Sequence, residues 1–277
     1  MDKLKWDIEF FDDKDFYETI NKKIENKKEI GMSKIIKISK PIIIKYEEKE
    51  IKLLKNIKEK IEDFWKKAVE ENPNLYNGLD YTIEKIEENE NEIKMTAIKT
   101  NYAHYLYDEK VGIKEEEYRC NVPWSGIILL TNDNYIVLGE MDNKTSFPHC
   151  LQISGGGIDK KDISNGMIDI NQTIKRELKE ELNLNLDDID YKIKYLEIPD
   201  EERHAYGFIA IGKIDKNKKE LQRSFDIYRE YLIKNNLETE FERLIFINKN
   251  TAIEEFDKLK NPKRQYLRNL IKEIENT

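Results

Sequence analysis

Ile51, Leu54, Ile57, Ile61, Phe64, Trp65 and Ala68 recur at steps of three and four with Lys and Glu between them. That is the spacing of one apolar helix face and predicts an amphipathic helix over residues 47–71. The helix should stop at Asn72-Pro73, because proline disfavours helical geometry in the residue before it, and Asn77-Gly78 should form a turn. Before it, residues 35–38 and 42–44 around Pro41 read as strands, and the charged stretch to about Lys28 carries only scattered aromatics (Trp6, Phe10, Phe11, Phe16, Tyr17). After it, residues 81–86, 93–99 and 103–107 read as strands of a small sheet, with a polar loop over 87–92. The run from Lys114 to Arg119, with its three consecutive glutamates, separates this region from a different pattern. A boundary near residue 115 therefore divides an N-terminal α+β domain (1–115) from a second domain (116–277).

The second region opens with two compact apolar strands, 125–131 and 135–138, joined by Asn132-Asp133-Asn134 as a hairpin. A third strand runs through residues 151–157 and ends in the triplet Gly155-Gly156-Gly157. A polar, irregular stretch follows, and then Ile174, Leu178 and Leu182 form the apolar stripe of a helix over 170–182. A strand over 205–214, a helix over 221–234, a strand over 244–247 and a last helix over 262–274 complete the pattern. No internal repeat is visible.

Composition narrows the picture. Charged residues make up 38% of the 277 residues against a typical quarter, yet 48 basic and 56 acidic residues leave a net charge of only −8. With 39% apolar and 10% aromatic residues the chain has material for a core, so a globular protein is expected rather than a disordered one. An acidic balance (pI near 5.3) argues against a polymeric nucleic acid as partner. No apolar run approaches the roughly 20 residues that span a bilayer, so no membrane association is expected. The acidic, non-apolar start does not resemble a signal peptide. Two cysteines, Cys120 and Cys150, without C-x-x-C spacing indicate neither a disulfide scaffold nor a zinc site, and a cytoplasmic location is expected.

The chemistry concentrates in Arg176-Glu177-Leu178-Lys179-Glu180-Glu181-Leu182-Asn183-Leu184. At 100° per residue, Glu177, Glu180 and Glu181 fall within about 100° of one another on the side away from the apolar stripe. Like charges so spaced repel and weaken a helix, a conflict that a hard divalent cation with oxygen ligands would remove. A glycine triplet that ends a strand, then a loop, then an acidic helix is where backbone can approach a diphosphate and its metal.

These residues resemble the box of the Nudix hydrolases: Gly, five residues, Glu, seven residues, then Arg-Glu-aliphatic-x-Glu-Glu-x-Gly-aliphatic. The second half matches almost completely. Asn183 stands where the box has its closing Gly, Ile168 lies eight positions before Arg176, and 18 residues separate Gly157 from Arg176 where the pattern has 13, an insertion of five. The resemblance covers roughly residues 120–277. It implies a C-terminal α/β/α sandwich with a mixed sheet, preceded by a smaller α+β domain that helps form the substrate pocket. It implies Mg²⁺, with Mn²⁺ as the alternative, held by Glu177, Glu180 and Glu181. Glu180 or Glu181 would act on the attacking water, Arg176 would position the carboxylates, and Gly155, Gly156 and Gly157 would line the diphosphate. Asn183 and the segments 72–78 (Asn-Pro-Asn-Leu-Tyr-Asn-Gly) and 100–102 (Thr-Asn-Tyr) further resemble the UDP-sugar pyrophosphatase branch, which places Tyr102 among the substrate-binding candidates. The expected partner is a small nucleoside diphosphate derivative such as UDP-glucose, cleaved to UMP and a sugar 1-phosphate, by a monomer or homodimer. ADP-ribose or a dinucleoside polyphosphate as substrate, and a nucleotide sensor without turnover, are the alternatives. His104, His149 and His204 receive no role. Glu201 and Glu202 are weaker candidates for a distant ligand, and Tyr105 and Tyr107 for base stacking.

Overall fold

A computed structural model describes residues 34–199 and 204–277; the aromatic-bearing start of the chain and Glu201 and Glu202 lie outside these. The strands are β1 (Lys34–Lys37), β2 (Ile42–Glu50), β3 (Leu79–Glu88), β4 (Ile93–Asn101), β5 (Val122–Leu130), β6 (Tyr135–Met141), β7 (Leu151–Gln152), β8 (Ser154–Gly157), β9 (Ile163–Ser164), β10 (Met167–Ile168), β11 (Asp190–Ile198), β12 (Ala205–Lys213) and β13 (Phe241–Asn248). The helices are α1 (Lys55–Glu71), α2 (Tyr102–Lys110), α3 (Ile170–Leu182), α4 (Lys218–Lys234), α5 (Ala252–Lys258) and α6 (Leu267–Glu275). The larger sheet runs β1-β11-β12-β5-β6-β13, with β8 on β5 and β7 on β6; only β12 and β5 are parallel, so the sheet is mixed. The smaller sheet runs β3-β4-β2-β10-β9.

Every residue of β5 is buried, as expected of a strand covered on both faces. Its period of two sorts the core: Ile127 and Leu129 point to one cluster with Ile174 and Leu178 of α3 and Leu221 and Phe225 of α4. Ile128 and Leu130 point to the other, with Phe256 of α5 and Leu267, Leu270 and Ile271 of α6. Helices thus cover both faces of the larger sheet, giving the α+β fold with an α/β/α layering. The smaller sheet joins the first cluster through Ile42, Ile44, Tyr81, Ile83 and Met95. Among the described residues no helix is long and apolar enough to cross a membrane.

Pairing crosses the expected boundary near residue 115 twice. β1 adds to the edge of the larger sheet through β11, while the hairpin β9–β10, from within the box, extends the smaller sheet through β2. Three element readings change. Residues 47–50 continue β2 rather than starting the helix, because β2 still pairs with β4 at Glu50 and Ile51 N–H donates to Lys99 O; α1 starts at Lys55. Residues 103–107 are helical, because Asn101 caps α2 by accepting a hydrogen bond from His104 N–H at 3.0 Å, which ends β4. The last helix, α6, begins at Leu267 rather than at 262, and two elements that the pattern did not yield are added: α5, and β11, whose apolar positions alternate with lysines.

Because both regions share one core cluster, a chain lacking residues 1–115 should lose cooperative folding rather than merely substrate affinity. Circular dichroism of that fragment is expected to show no sharp melting transition; a transition close to that of the full chain would mean that the larger sheet folds alone.

Candidate metal and diphosphate site

β8 and α3 build the site together. Gly155 has φ +152, and a Cβ there would lie 2.4 Å from Ser125 O and Gly126 Cα, so only glycine lets β8 press against β5. Its N–H donates to Glu181 Oε2 at 3.0 Å. A Cβ on Gly156 would lie 2.4 Å from Glu177 Oε1, so the missing side chain makes room for the carboxylate. Around Gly157 nothing lies within 4 Å of a Cβ position, and its carbonyl accepts Arg176 Nη2 at 2.9 Å. The triplet therefore seats two acidic side chains and leaves its last residue beside open space.

α3 is fixed at both ends. Asp169 caps its start through Asn171 N–H, and Asn183 ends it in the left-handed region at φ +53, the conformation for which Gly is commonest and Asn the next choice. The stripe Ile174, Leu178 and Leu182 is buried, and the i, i+4 pair Glu177 and Glu181 turns inward to β8, 7% and 3% exposed. Glu180 points outward, its side chain 58% exposed, with Oε2 3.3 Å from Arg176 Nη1. In its place the fold brings Glu240, from the turn before β13, against the other two: ligand oxygens of Glu177, Glu181 and Glu240 lie within 4.8 Å of one another.

Arg176 organises the group. Its Nη1 donates to Glu177 Oε1 at 2.6 Å, and its Nη2 to Asp162 Oδ2 at 3.0 Å. The same Asp162 oxygen accepts Thr173 Oγ1 and Asp159 N–H, each at 2.9 Å. Asp162 thus occupies the position opposite Arg176 that the sequence comparison assigned to Ile168, which is buried in the core instead. Counted from Gly156, five residues precede Asp162, so the spacing of the first half of the pattern is met with Asp in place of Glu, and the added stretch is six residues, 163–168, not five.

The carboxylates are short of positive charge. Burial, and then neighbouring carboxylates, push Glu240 up to about 8. Burial pushes Glu177 up to about 7 although Arg176 pulls it down. Glu181 is raised well above the ordinary range by burial, Glu240 and Glu177. Among the described residues, buried Glu181 Oε1 has no hydrogen-bond partner. A buried Glu181 carboxylate with one unpartnered oxygen, grouped with two more carboxylates, is an all-oxygen donor set, which fits Mg²⁺ or Mn²⁺.

The other candidates lie apart from this group. Tyr102 is half-buried, its hydroxyl 2.6 Å from Ser146 Oγ and its ring packed edge-on against Trp65 and tilted on Tyr105. Tyr107 packs on Phe64. His104 is buried between Thr100 and Tyr118 O, a structural role. His149 lies 3.3 Å from both Glu140 and Glu242, but Glu140 already binds Arg243 Nε at 2.7 Å. His204 is buried ahead of β12. Sequence reasoning missed Asp162, which an anchor at Gly156 would have found, and Glu240, one glutamate of many before a strand, for which no local signal exists.

No family model matches the sequence, and no curated protein matches it. Solved structures similar to the chain include a Nudix hydrolase from Alicyclobacillus acidocaldarius, with 8% identity over 56% of this chain and 91% of that one and a TM-score of 0.41. A MutT protein from Methanosarcina mazei (11% identity, 56% and 93%, TM-score 0.37) and an Ap4A hydrolase from C. elegans (14%, 56% and 96%, TM-score 0.35) are similar over comparable spans.

Two outcomes are expected of this geometry. Between the ordinary carboxylate value of 4.5 and about 8, the metal-free native state holds protons that the unfolded chain has released, so stability falls as pH rises through that window. Calorimetry without metal should show Tm decreasing from pH 5 to pH 8, and Mg²⁺ should raise Tm more at pH 8 than at pH 6, because the cation needs ionised ligands. A Tm independent of pH and of Mg²⁺ would contradict the assignment. Gly156→Ala displaces the Glu177 carboxylate and should weaken Mn²⁺ binding, read by titration, by about tenfold or more.

Proposed function

We propose that the chain is a divalent-cation-dependent pyrophosphohydrolase of the Nudix type, acting on a nucleoside diphosphate joined to a second moiety. A nucleotide sugar such as UDP-glucose is the proposed substrate, cleaved to UMP and a sugar 1-phosphate. The observation that carries the reading is the Glu177–Glu181–Glu240 group, with its unpartnered buried oxygen, beside a glycine strand and braced by Arg176.

A bound Mg²⁺ or Mn²⁺ would neutralise the diphosphate and make a water more acidic at neutral pH. The chain's own residues do the rest. Glu177, Glu181 and Glu240 would hold the cation. Arg176 keeps the Glu177 carboxylate turned toward β8 while its second amine group is tied to Asp162 and to Gly157 O. Gly157, beside open space, leaves room for a phosphate against backbone. Glu180, held loosely by Arg176 and largely exposed, orients the attacking water and takes its proton. Water oxygen bonds to one phosphorus as the bond from that phosphorus to the bridging oxygen breaks, so the products are two monophosphates.

The sugar-nucleotide reading draws on the two segments that resemble the UDP-sugar branch. In the fold they touch: Asn77 Oδ1 accepts Ala103 N–H at 2.8 Å, and Tyr102 N–H donates to Gly78 O at 3.0 Å. Tyr102 in turn reaches Ser146 in the loop that starts at Asp142, whose N–H donates to Glu240 O at 2.7 Å. This chain of contacts from Tyr102 to the carboxylate group supports the reading that the segment around Tyr102 shapes the base or sugar pocket.

The test is release of monophosphates from UDP-glucose, other nucleotide sugars, ADP-ribose and diadenosine polyphosphates with Mg²⁺, Mn²⁺ or EDTA. Metal-dependent release of UMP from UDP-sugars is expected, and Glu181→Gln should abolish it while leaving the Tm measured without metal at pH 5 little changed. Preference for ADP-ribose or a dinucleoside polyphosphate would replace the substrate assignment. A nucleotide that raises Tm without being cleaved by the parent chain would make the protein a sensor.

A further inference from the structure

The six residues that lengthen the box do not form a free surface loop. They make the hairpin β9–β10, in which Met167 pairs with Lys45 of β2 and Gly166 O accepts Tyr46 N–H at 2.9 Å. Ile168 is 4% exposed and lies in the cluster that holds Ile42 and Ile44 of β2 and Ile174 and Leu178 of α3. Both roots of the hairpin belong to the support of the carboxylate group. Asp162 is the partner of Arg176, and Asp169 caps α3. The roots are themselves joined, Asp169 N–H donating to Asp162 O at 2.8 Å. On the side of the smaller sheet, Tyr46 meets Tyr81 edge-on with centroids 5.5 Å apart. Burial, and then the charges of Asp159, Asp80 and Asp162, push the Tyr81 phenol up to about 12.

We propose that β9–β10 is a strap through which the smaller sheet positions Asp162, Arg176 and Glu177, so that a part of the chain outside the box sets the geometry of the cation-holding carboxylates. The inference rests on the cation reading of that group and goes beyond it. On a free loop, Asp162 would have to be ordered anew each time it held Arg176; paired to β2 through the hairpin, it is ordered by the sheet. Partners one layer removed from a metal typically matter 10- to 100-fold for metal affinity or activity.

Replacing residues 163–168 with Asn-Gly tests this. Asp162 and Asp169 would then bracket a two-residue turn, whose closing hydrogen bond is the one they already make, and every carboxylate of the group is kept. The full chain with this replacement should bind Mn²⁺, read by electron paramagnetic resonance, roughly 10- to 100-fold more weakly than the parent. Amides of α3 should also exchange faster in the metal-free protein, a readout that needs neither cation nor turnover. Mn²⁺ affinity and α3 protection equal to the parent's would overturn the strap. If the shortened chain shows no cooperative melt, Tyr46→Ala in the intact hairpin carries the same two expectations, and unchanged values there overturn it equally. A parent that binds no Mn²⁺ refutes the cation reading, and the exchange of α3 amides then decides the strap alone.

Discussion

The arrangement depends on a charge conflict inside the fold. Glu177, Glu181 and Glu240 converge within 4.8 Å while Glu177 and Glu181 are buried, and the Arg176 guanidinium beside them also serves Asp162 and Glu180. Burying carboxylates without matching positive charge opposes folding, since each ion loses hydration and repels the others across a medium that screens poorly. In the metal-free fold burial raises the proton affinity of these groups, which eases the conflict. A cation would meet it by displacing those protons. The neighbouring features follow: a glycine where Glu177 needs room, a glycine amide aimed at Glu181, and an arginine held from behind by an aspartate so that its charge stays in place.

Much of this could be read in the sequence where the pattern was periodic. The apolar stripe of α3, the hairpin β5–β6 and the acidic face of Glu177 and Glu181 follow from spacing alone, since side-chain direction in a regular element is fixed by its period. What spacing cannot provide is the third carboxylate, because Glu240 lies 59 residues beyond Glu181 and arrives only when β13 pairs with β6. Glu180 shows the converse. It shares a helical wheel sector with its neighbours, yet 100° per residue turns it far enough from β8 to leave it in solvent. A wheel gives direction, and the neighbouring strand decides which directions are inside.

The departures from the box are likewise explained by three-dimensional placement. Ile168 stands at the wrong chemistry only if the loop keeps its usual length; with a hairpin inserted, Asp162 reaches Arg176 from before the insertion and Ile168 goes to the core. Asn183 closes α3 in the conformation a glycine would take. Residues 103–107 read as a strand because tyrosines alternate there, and one capping hydrogen bond from Asn101 outweighed that preference. Local propensity is a weak vote that a single well-placed polar contact can reverse.

The two exchanged elements give the chain a property that neither sheet has alone. β1 binds the N-terminal region to the edge strand β11, and β9–β10 binds the box to β2, so separating the sheets requires breaking pairings on both sides of one apolar cluster. A substrate pocket built from both regions would then be tied to the carboxylates through these pairings and the shared cluster. That constraint favours recognition by fixed geometry over closure of one region on the other. The proposed substrate-shaping segment lies outside the acidic helix, at the junction of the two regions: Tyr102 reaches Ser146, and Asp142, in the same loop, donates its N–H to Glu240 O.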